Sequence, residues 1–163
     1  MSHTVTVYVE IEKGSNEKYE YNHATQTLEL DRLLPEPYVY PFPYGFLPNT
    51  LGKDGDELDI LILTEKPIQK GTFQTVSIVG VLIMEDEKGM DEKILCTLDG
   101  EELSNPLTDN TKETIAYFFS NYKRNVQGKW SKVYGFEDAS FANKLYTSSI
   151  VGTQVPKGTL ESF

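Results

Sequence analysis

Residues 35–49 constrain the fold of this chain more than any other segment. They contain five prolines and five aromatic residues. Proline fixes φ and has no N–H to donate, so it is excluded from helix interiors and from interior strands. The segment is therefore predicted to be an ordered loop packed by its own rings, and the regular structure must lie on either side of it.

Strands are predicted on both sides of this loop. Residues 4–11 alternate between apolar and polar positions, which is the pattern of a half-buried strand. Apolar or alternating runs predict the other strands at 18–21, 28–34, 58–63, 75–84 and 93–98.

Helix is predicted only late in the chain. Residues 109–124 carry apolar side chains at the spacing of an amphipathic helix, and a shorter helix is predicted over 137–146. Many strands followed by one or two helices are typical of an antiparallel barrel or sheet with helices on one side, a mainly β arrangement of the α+β class. We expect residues 1–146 to form a single domain and residues 147–163 to form an extended or mobile tail.

A first acidic segment is a candidate for binding metal. Asp54, Asp56 and Asp59 stand directly before the apolar run 60–63. Hard divalent cations such as Mg²⁺ bind carboxylates of this kind, although an acidic surface turn explains the first two aspartates equally well. An EF-hand calcium loop is excluded, because Leu58 would stand at a ligand position.

A second acidic segment, residues 86–93, links two predicted strands. Alone it is better explained as a solvated hairpin loop. Together with the first segment it offers Asp86 and Asp91 as further oxygen ligands and Lys93 as an anion contact. Two acidic clusters at strand ends could share two or more metal ions, activate a water and bind a phosphoryl group.

The remaining candidates are each explained by structure when taken alone. An exposed cross-strand ion pair accounts for the charges on the second and third strands, ring packing accounts for the loop tyrosines, and amphipathicity accounts for the end of the long helix. These side chains are Lys18, Glu20, Arg32, Tyr40, Tyr44, Tyr122 and Lys123.

Composition excludes several classes of partner. Lys+Arg 15 against Asp+Glu 25 gives a net charge of −10, which repels nucleic acids and anionic membranes in a chain without a basic run. The single Cys96 rules out an intramolecular disulfide and fits a reducing compartment. With no signal pattern and no membrane-spanning stretch, we expect a soluble cytoplasmic protein with no nucleic-acid or membrane partner.

Taken together, residues 5–136 resemble the soluble, magnesium-dependent (family I) inorganic pyrophosphatases. The Asp-Gly-Asp-x-x-Asp motif at 54–59 is the family's most specific signature. The other segments of the resemblance follow the expected order: Val9–Ile11, Lys13–Glu20, Leu30–Arg32, Tyr40–Phe46, Val79–Leu82, Asp86–Lys93 and Phe118–Lys123.

The resemblance implies a closed five-stranded barrel of the OB type with one long and one short helix packed on it. It also implies an enzyme, an inorganic diphosphatase that hydrolyses pyrophosphate to two orthophosphates with a metal-activated water. The cofactor implied is Mg²⁺, several ions per site, with Mn²⁺ as a substitute and Ca²⁺ as an inhibitor.

Residue roles also follow from the resemblance. Asp56 would be the general base, and Tyr122 and Lys123 would complete the catalytic set. The implied metal ligands are Asp54, Asp59 and Asp91 for a first ion, Asp59 for a second, Asp86 and Asp91 for a third, and Glu20 through water for a fourth. The implied phosphate-binding residues are Lys18, Arg32, Lys93, Tyr122 and Lys123, with Tyr40 and Tyr44 lining the pocket and Glu10 supporting it.

The chain departs from the family pattern at Glu12, where proline is frequent, in the tail beyond Tyr146, and on the long helix. Many bacterial members carry histidines on the long helix that help to join trimers into hexamers, and here the comparable positions are Tyr117 and Asn121. Self-association is still expected, with a hexamer favoured over a dimer. Two other functions stay open: a hydrolase of short polyphosphates or nucleotides at the same site, and a non-catalytic metal-binding module of the OB type.

Overall fold

Nine strands and two helices are formed by residues 4–151, the part of the chain that the computed structural model describes. The strands are β1 (Thr4–Ile11), β2 (Glu17–Asn22), β3 (Thr27–Leu33), β4 (Tyr44–Phe46), β5 (Asp59–Ile62), β6 (Phe73–Asp86), β7 (Gly89–Met90), β8 (Lys93–Leu98) and β9 (Ser131–Asp138). The helices are α1 (Asp109–Asn121) and α2 (Ala139–Ser149).

Five of the strands close into a barrel. Their order is β1-β4-β5-β8-β6, and β6 pairs back onto β1. The β5–β8 pair is parallel, whereas the other pairs in the ring are antiparallel. Closure leaves no unpaired strand edge in the ring. The closed five-stranded barrel of the OB type with two helices is confirmed.

Long β6 extends beyond the barrel and carries additional structure. Its second half pairs with β9 and with the short β7. Strands β2 and β3 form a separate hairpin in which Lys18 stands opposite Arg32. The hairpin therefore brings two of the predicted phosphate-binding residues side by side.

Alternation along the buried strands divides the core into two clusters. On β5, Ile60 and Ile62 belong to a cluster shared with β1, β6 and β8, whereas Leu61 belongs to a second cluster. That second cluster includes Phe118 and Phe119, so it packs α1 against the barrel. Such alternation explains why β5 and β8 are apolar at almost every position: both of their faces are covered.

The prediction of a strandless loop over 35–49 is wrong at one point. Tyr44–Phe46 forms β4, an interior strand of the barrel between β1 and β5. The prolines at 43 and 48 flank this strand and none lies within it, so every residue of β4 keeps its N–H. Gly45 also lets β1 approach closely, since a Cβ there would lie 1.9 Å from the carbonyl oxygen of Tyr8.

The end of the chain differs from the prediction in the position of its elements. Strand β9 was not predicted, and α2 begins at Ala139, where the Asp138 side chain accepts a hydrogen bond from the N–H of Phe141. Helix α2 runs to Ser149, beyond the predicted domain end at 146. Residues 152–163 of the predicted tail lie outside the described residues, so the division at 146 stays a prediction. Within residues 4–151, no helix is long and apolar enough to cross a membrane.

The contact at Gly45 gives a prediction about stability. Gly45→Ala should lower the free energy of unfolding by about 3 kcal/mol, because its Cβ must displace the backbone of β1. Gly14→Ala is the control, since its Cβ meets no atom and only its φ of +86° is strained, a cost of about 1 kcal/mol. Urea unfolding measures both, and equal losses in the two variants would contradict the close-contact account.

Candidate active site

One pocket of about 560 Å³ gathers the predicted site residues. It lies between the β2–β3 hairpin, the loop before β5, the turn between β6 and β7, and the end of α1. Every predicted site residue lines it except Tyr40. Tyr40 is fully buried, with its ring 5.1 Å from that of Tyr44 and 4.6 Å from that of Phe118. It therefore supports the pocket wall from behind.

The ammonium of Lys93 lies at the centre of the pocket's acidic side. Its Nζ donates to Asp59 Oδ2 at 2.7 Å, to Asp91 Oδ2 at 2.8 Å and to the Tyr44 hydroxyl at 2.8 Å, and the side chain is 2% exposed. Burial alone would lower the pKa of Lys93, but the two carboxylates raise it well above its usual value. Lys93 is therefore charged and has all three of its donors satisfied.

The loop before β5 folds back on itself around Asp54. Its Oδ1 accepts a hydrogen bond from the N–H of Asp56 at 3.0 Å, and the N–H of Gly52 donates to the carbonyl of Asp56 at 2.6 Å. Gly55 has a φ of +91°, which glycine adopts without strain. This turn places Asp54 in the same pocket as Asp91, whose negative charge helps to raise the pKa of Asp54.

The same carboxylates carry more negative charge than Lys93 balances. Burial, followed by nearby charges, raises the pKa of Asp54 to about 6 and that of Asp59 to about 6. Burial also tends to raise the pKa of Asp91, but Lys93 holds the pKa of that carboxyl below its usual value. A bound divalent cation would relieve this repulsion, and a set of oxygen donors alone suits Mg²⁺ or a similar hard ion.

These residues fit a metal ion, although they are arranged around an ammonium. No three acidic, histidine or cysteine side chains among residues 4–151 already converge as a preformed metal site. Lys93 accounts for this, because its Nζ lies between Asp59 and Asp91. To bind a cation, the carboxylates must turn away from the ammonium.

A second group of charges lies at the turn after β6. Lys123 Nζ, near the end of α1, contacts Asp86 Oδ2 at 2.9 Å and Glu87 Oε2 at 3.4 Å. Burial opposes ionisation of Glu87, but the N–H groups of Glu87 and Trp130 together with Lys123 and Lys129 lower its pKa to about 2. Asp86 is buried in this arrangement and also accepts a hydrogen bond from the N–H of Lys88.

The hairpin side of the pocket supplies two cations. Lys18 forms ion pairs with Glu20 and with Asp31, the latter at 2.9 Å. Arg32 donates from Nη1 to the carbonyl of Tyr122 at 3.2 Å, while its buried Nη2 has no hydrogen-bond partner among the residues described. An unsatisfied guanidinium donor at a pocket is suited to an anionic oxygen.

Asp56 differs from its neighbours in being open to solvent. Its side chain is 65% exposed, and its Oδ2 contacts only one cation in the described structure, Lys88 Nζ at 3.1 Å. Exposed pairs of this kind contribute at most about 1 kcal/mol. The Asp56 carboxylate is therefore held weakly and can act on a group that enters the pocket.

Glu10 has a supporting position behind these groups. It is 8% exposed, and its Oε2 accepts a hydrogen bond from the N–H of Tyr21 at 2.8 Å. Burial raises the pKa of Glu10 well above its usual value. Glu10 therefore ties β1 to the β2–β3 hairpin that carries Lys18 and Arg32.

Sequence reasoning missed further charged or titratable residues that line the pocket, among them Glu87, Lys88, His23 and Glu57. His23 Nε2 lies 2.6 Å from Glu57 Oε2, so this pair joins the hairpin to the loop before β5. Glu87 and Lys88 stand in the acidic 86–93 segment, which was already a candidate for the site and could have indicated both residues. Glu57 stands within the acidic motif at 54–59, which could have indicated it, whereas nothing in the local sequence indicated His23.

Comparison with known proteins finds one family throughout. The sequence model described as inorganic pyrophosphatase matches residues 7–153. The inorganic pyrophosphatase of Nanoarchaeum equitans is 41% identical over 149 residues, which cover 86% of this chain and 92% of that protein. The inorganic pyrophosphatase of Helicobacter pylori strain J99 is 40% identical over 159 residues, with coverage of 93% and 92%.

Solved structures agree with the sequence relatives. The inorganic pyrophosphatase of Coxiella burnetii superposes with a TM-score of 0.85 at 37% identity, covering 91% of this chain and 94% of that one. The inorganic pyrophosphatase of Thermus thermophilus also gives a TM-score of 0.85 at 37% identity, with coverage of 90% and 89%.

The raised carboxyl pKa values predict how cation binding depends on pH. As pH falls through about 6, Asp54 and Asp59 each take up a proton that a cation must displace, so affinity should fall about tenfold per carboxyl, or about 100-fold in all, between pH 7.5 and pH 5. Carboxyls with ordinary pKa values would hold affinity nearly constant over this range. Calorimetric titration of chelator-treated protein with Mg²⁺ measures this, and a constant affinity would contradict the assignment.

Proposed function

Because this chain belongs to the inorganic pyrophosphatase family and hydrolyses pyrophosphate, we propose that the pocket around Lys93 is its active site. The observation that carries the proposal is the contact of Asp59 and Asp91 with one buried ammonium, within the pocket that also holds Asp54 and Asp56. The family uses a divalent metal cofactor, and we propose that the ion is Mg²⁺, several per site.

The first task of the site is to accept an anion in an acidic pocket. When bound, divalent cations neutralise the phosphate oxygens, lower the pKa of the attacking water and stabilise the leaving phosphate. We assign Asp54, Asp59 and Asp91 to a first ion, with Asp59 also reaching a second. Asp86 and Asp91 are assigned to a third ion, and Glu20 to a fourth through water.

Ion preference follows from the oxygen donors. Mg²⁺ requires octahedral geometry at about 2.0–2.1 Å, and Mn²⁺ accepts similar ligands, so Mn²⁺ should substitute. Ca²⁺ takes six to eight oxygens at about 2.3–2.6 Å in irregular geometry. The same carboxylates should therefore hold Ca²⁺ without positioning the substrate, which makes it an inhibitor.

The pocket lysines become available to bind phosphate oxygens when the carboxylates that pair with them bind cations instead. In the described structure Lys93 is bound by Asp59 and Asp91, and Lys123 is bound by Asp86. Each carboxylate that turns to a cation leaves an ammonium free to bind a phosphate oxygen. Lys18 and Arg32 then bind phosphate from the hairpin side of the pocket.

Two groups beside the substrate complete the catalytic set with Lys123. Burial raises the pKa of the Tyr122 phenol well above its usual value, so its hydroxyl stays protonated and can donate to a phosphate oxygen. Asp56 is proposed to accept the proton of the attacking water. It is solvent-exposed and only weakly paired with Lys88. Phosphoryl transfer leaves positioning and charge as the main tasks of the protein.

We also propose how the chain assembles, where in the cell it is located and where its domain ends. We propose a homo-oligomer, with a hexamer favoured over a dimer and held by contacts other than the histidines that Tyr117 and Asn121 replace; Tyr117 on α1 is 61% exposed. Asn121 instead donates to the carbonyl of Tyr117 within its own helix.

Cytoplasmic location is supported by the single buried thiol, Cys96. Residues 1–146 are proposed as the domain. The relatives do not favour either the polyphosphate hydrolase or the non-catalytic module.

The assignment of Asp56 gives the test of the proposal. Asp56→Asn keeps the size of the side chain and removes the proton acceptor, so turnover of pyrophosphate with Mg²⁺ should fall at least ~100-fold. Stability should change by less than about 1 kcal/mol, because the ion pair lost is exposed. Phosphate release gives the rate, and calorimetry should show Mg²⁺ affinity close to that of the wild type.

A matched control is Glu65→Gln, which makes the same carboxylate-to-amide change in an exposed ion pair outside the pocket. It should leave turnover unchanged. Near-wild-type turnover in Asp56→Asn would show that another group accepts the proton.

A further inference from the structure

One ion pair connects the two segments that carry the proposed ligands of the first ion. Lys53 Nζ lies 2.7 Å from Glu92 Oε2. Lys53 immediately precedes Asp54, and Glu92 immediately follows Asp91. The pair therefore joins the loop before β5 to the start of β8, one residue away from each proposed ligand.

The two partners differ strongly in burial. The Glu92 side chain is 4% exposed, whereas the Lys53 side chain is 61% exposed. A buried carboxylate requires a partner, since an unpaired one costs several kcal/mol. The pair is thus held more firmly than an exposed pair such as Lys13–Glu65, whose side chains are 38% and 79% exposed.

The backbone of the loop does not make this connection by itself. The turn around Asp54 is closed by bonds within the loop, from Asp56 to Asp54 and from Gly52 to Asp56. These bonds shape the turn but do not fix its distance from β8. The Lys53–Glu92 pair links the turn to β8 next to Asp54, and Asp54 and Asp91 line the same pocket in this arrangement.

We propose that Lys53 is a positioning residue for the metal site, acting through Glu92 to set the separation of Asp54 and Asp91. This inference rests on the proposed function, in which both aspartates bind the first ion. Mg²⁺ demands nearly fixed ligand distances, so a loop free to move away from β8 loses affinity for it. Neither Lys53 nor Glu92 lines the pocket, so neither is a candidate to touch the substrate.

The loss of the ion pair and the loss of charge predict opposite effects on cation affinity when Lys53 is replaced. Lys53→Met takes away a positive charge near the site, and charge alone would make a cation bind more tightly. Loss of the ion pair would make it bind more weakly, because Asp54 is no longer held beside Asp91. Glu92→Gln does not separate the two effects, since the loss of a negative charge and the loss of the ion pair both weaken cation binding. Lys53→Met is therefore the informative variant.

The experiment measures the dissociation constant of Mg²⁺ by calorimetry on chelator-treated protein without substrate, and then turnover against Mg²⁺ concentration. We expect Lys53→Met to raise the dissociation constant about tenfold, the scale for residues that orient metal ligands. Turnover at saturating Mg²⁺ should stay within about twofold of the wild type. Lys53→Arg should retain wild-type affinity, and the control Lys13→Met should leave both measurements unchanged.

Two outcomes separate the inference from the proposed function. If Asp54→Asn weakens Mg²⁺ binding but Lys53→Met leaves it unchanged or makes it tighter, the positioning role of Lys53 is overturned and the metal site stands. If Asp54→Asn leaves the dissociation constant unchanged, Asp54 is not a ligand, and the positioning role fails together with that assignment. Weaker binding in both variants, with recovery in Lys53→Arg, supports the inference.

Discussion

The contacts of Lys93 hold the site together. Lys93 begins β8, and the parallel pairing of β8 with β5 sets it opposite Asp59. Tyr44, on the neighbouring β4, provides the third acceptor. Closure of the barrel thus creates a buried cation bonded to two carboxylates and a phenol. If the ammonium were removed, Asp59 and Asp91 would remain as buried charges without compensation, which is costly.

This contact also explains how a chain with a net charge of −10 can bind a multiply charged anion. In the described structure the lysines of the pocket are paired with carboxylates, and the carboxylates outnumber the cations. Divalent cations held by these carboxylates would leave lysines without partners beside a new positive charge. The pocket would then change sign only with cations bound, and the anion site would depend on the cofactor.

Most strands were predictable from the apolar or alternating pattern of their sequence, whereas β4, β7 and β9 were not. Strands β1 and β8 match the predicted ranges 4–11 and 93–98, because burial imposes a clear apolar pattern on them. Strand β9 is mostly exposed and exists because β6 extends beyond the barrel and pairs with it. Strand β4 was hidden among prolines, and a close backbone approach at Gly45 decided its pairing.

In the site, too, local features were predictable and those that depend on the fold were not. The acidic motif at 54–59 is local, so its spacing alone made it a candidate for binding metal, although a surface turn explained its first two aspartates equally well. The convergence of Arg32, Lys93 and Lys123 depends on strand pairing and helix packing, and only the resemblance to a family supplied it. Charged partners such as Lys88 and Glu92 were not identified, because a charge in a turn has the same local pattern whether it is solvated or paired.

The central claim is that Lys93 balances carboxylates whose alternative partner is a divalent cation. Unfolding of Lys93→Met with and without Mg²⁺ tests it most directly. Without metal the variant should lose about 3–5 kcal/mol, the scale for breaking a buried ion pair, and Mg²⁺ should restore more stability to it than to the wild type. Equal stability of the two proteins without metal, together with an equal gain on adding Mg²⁺, would contradict the claim.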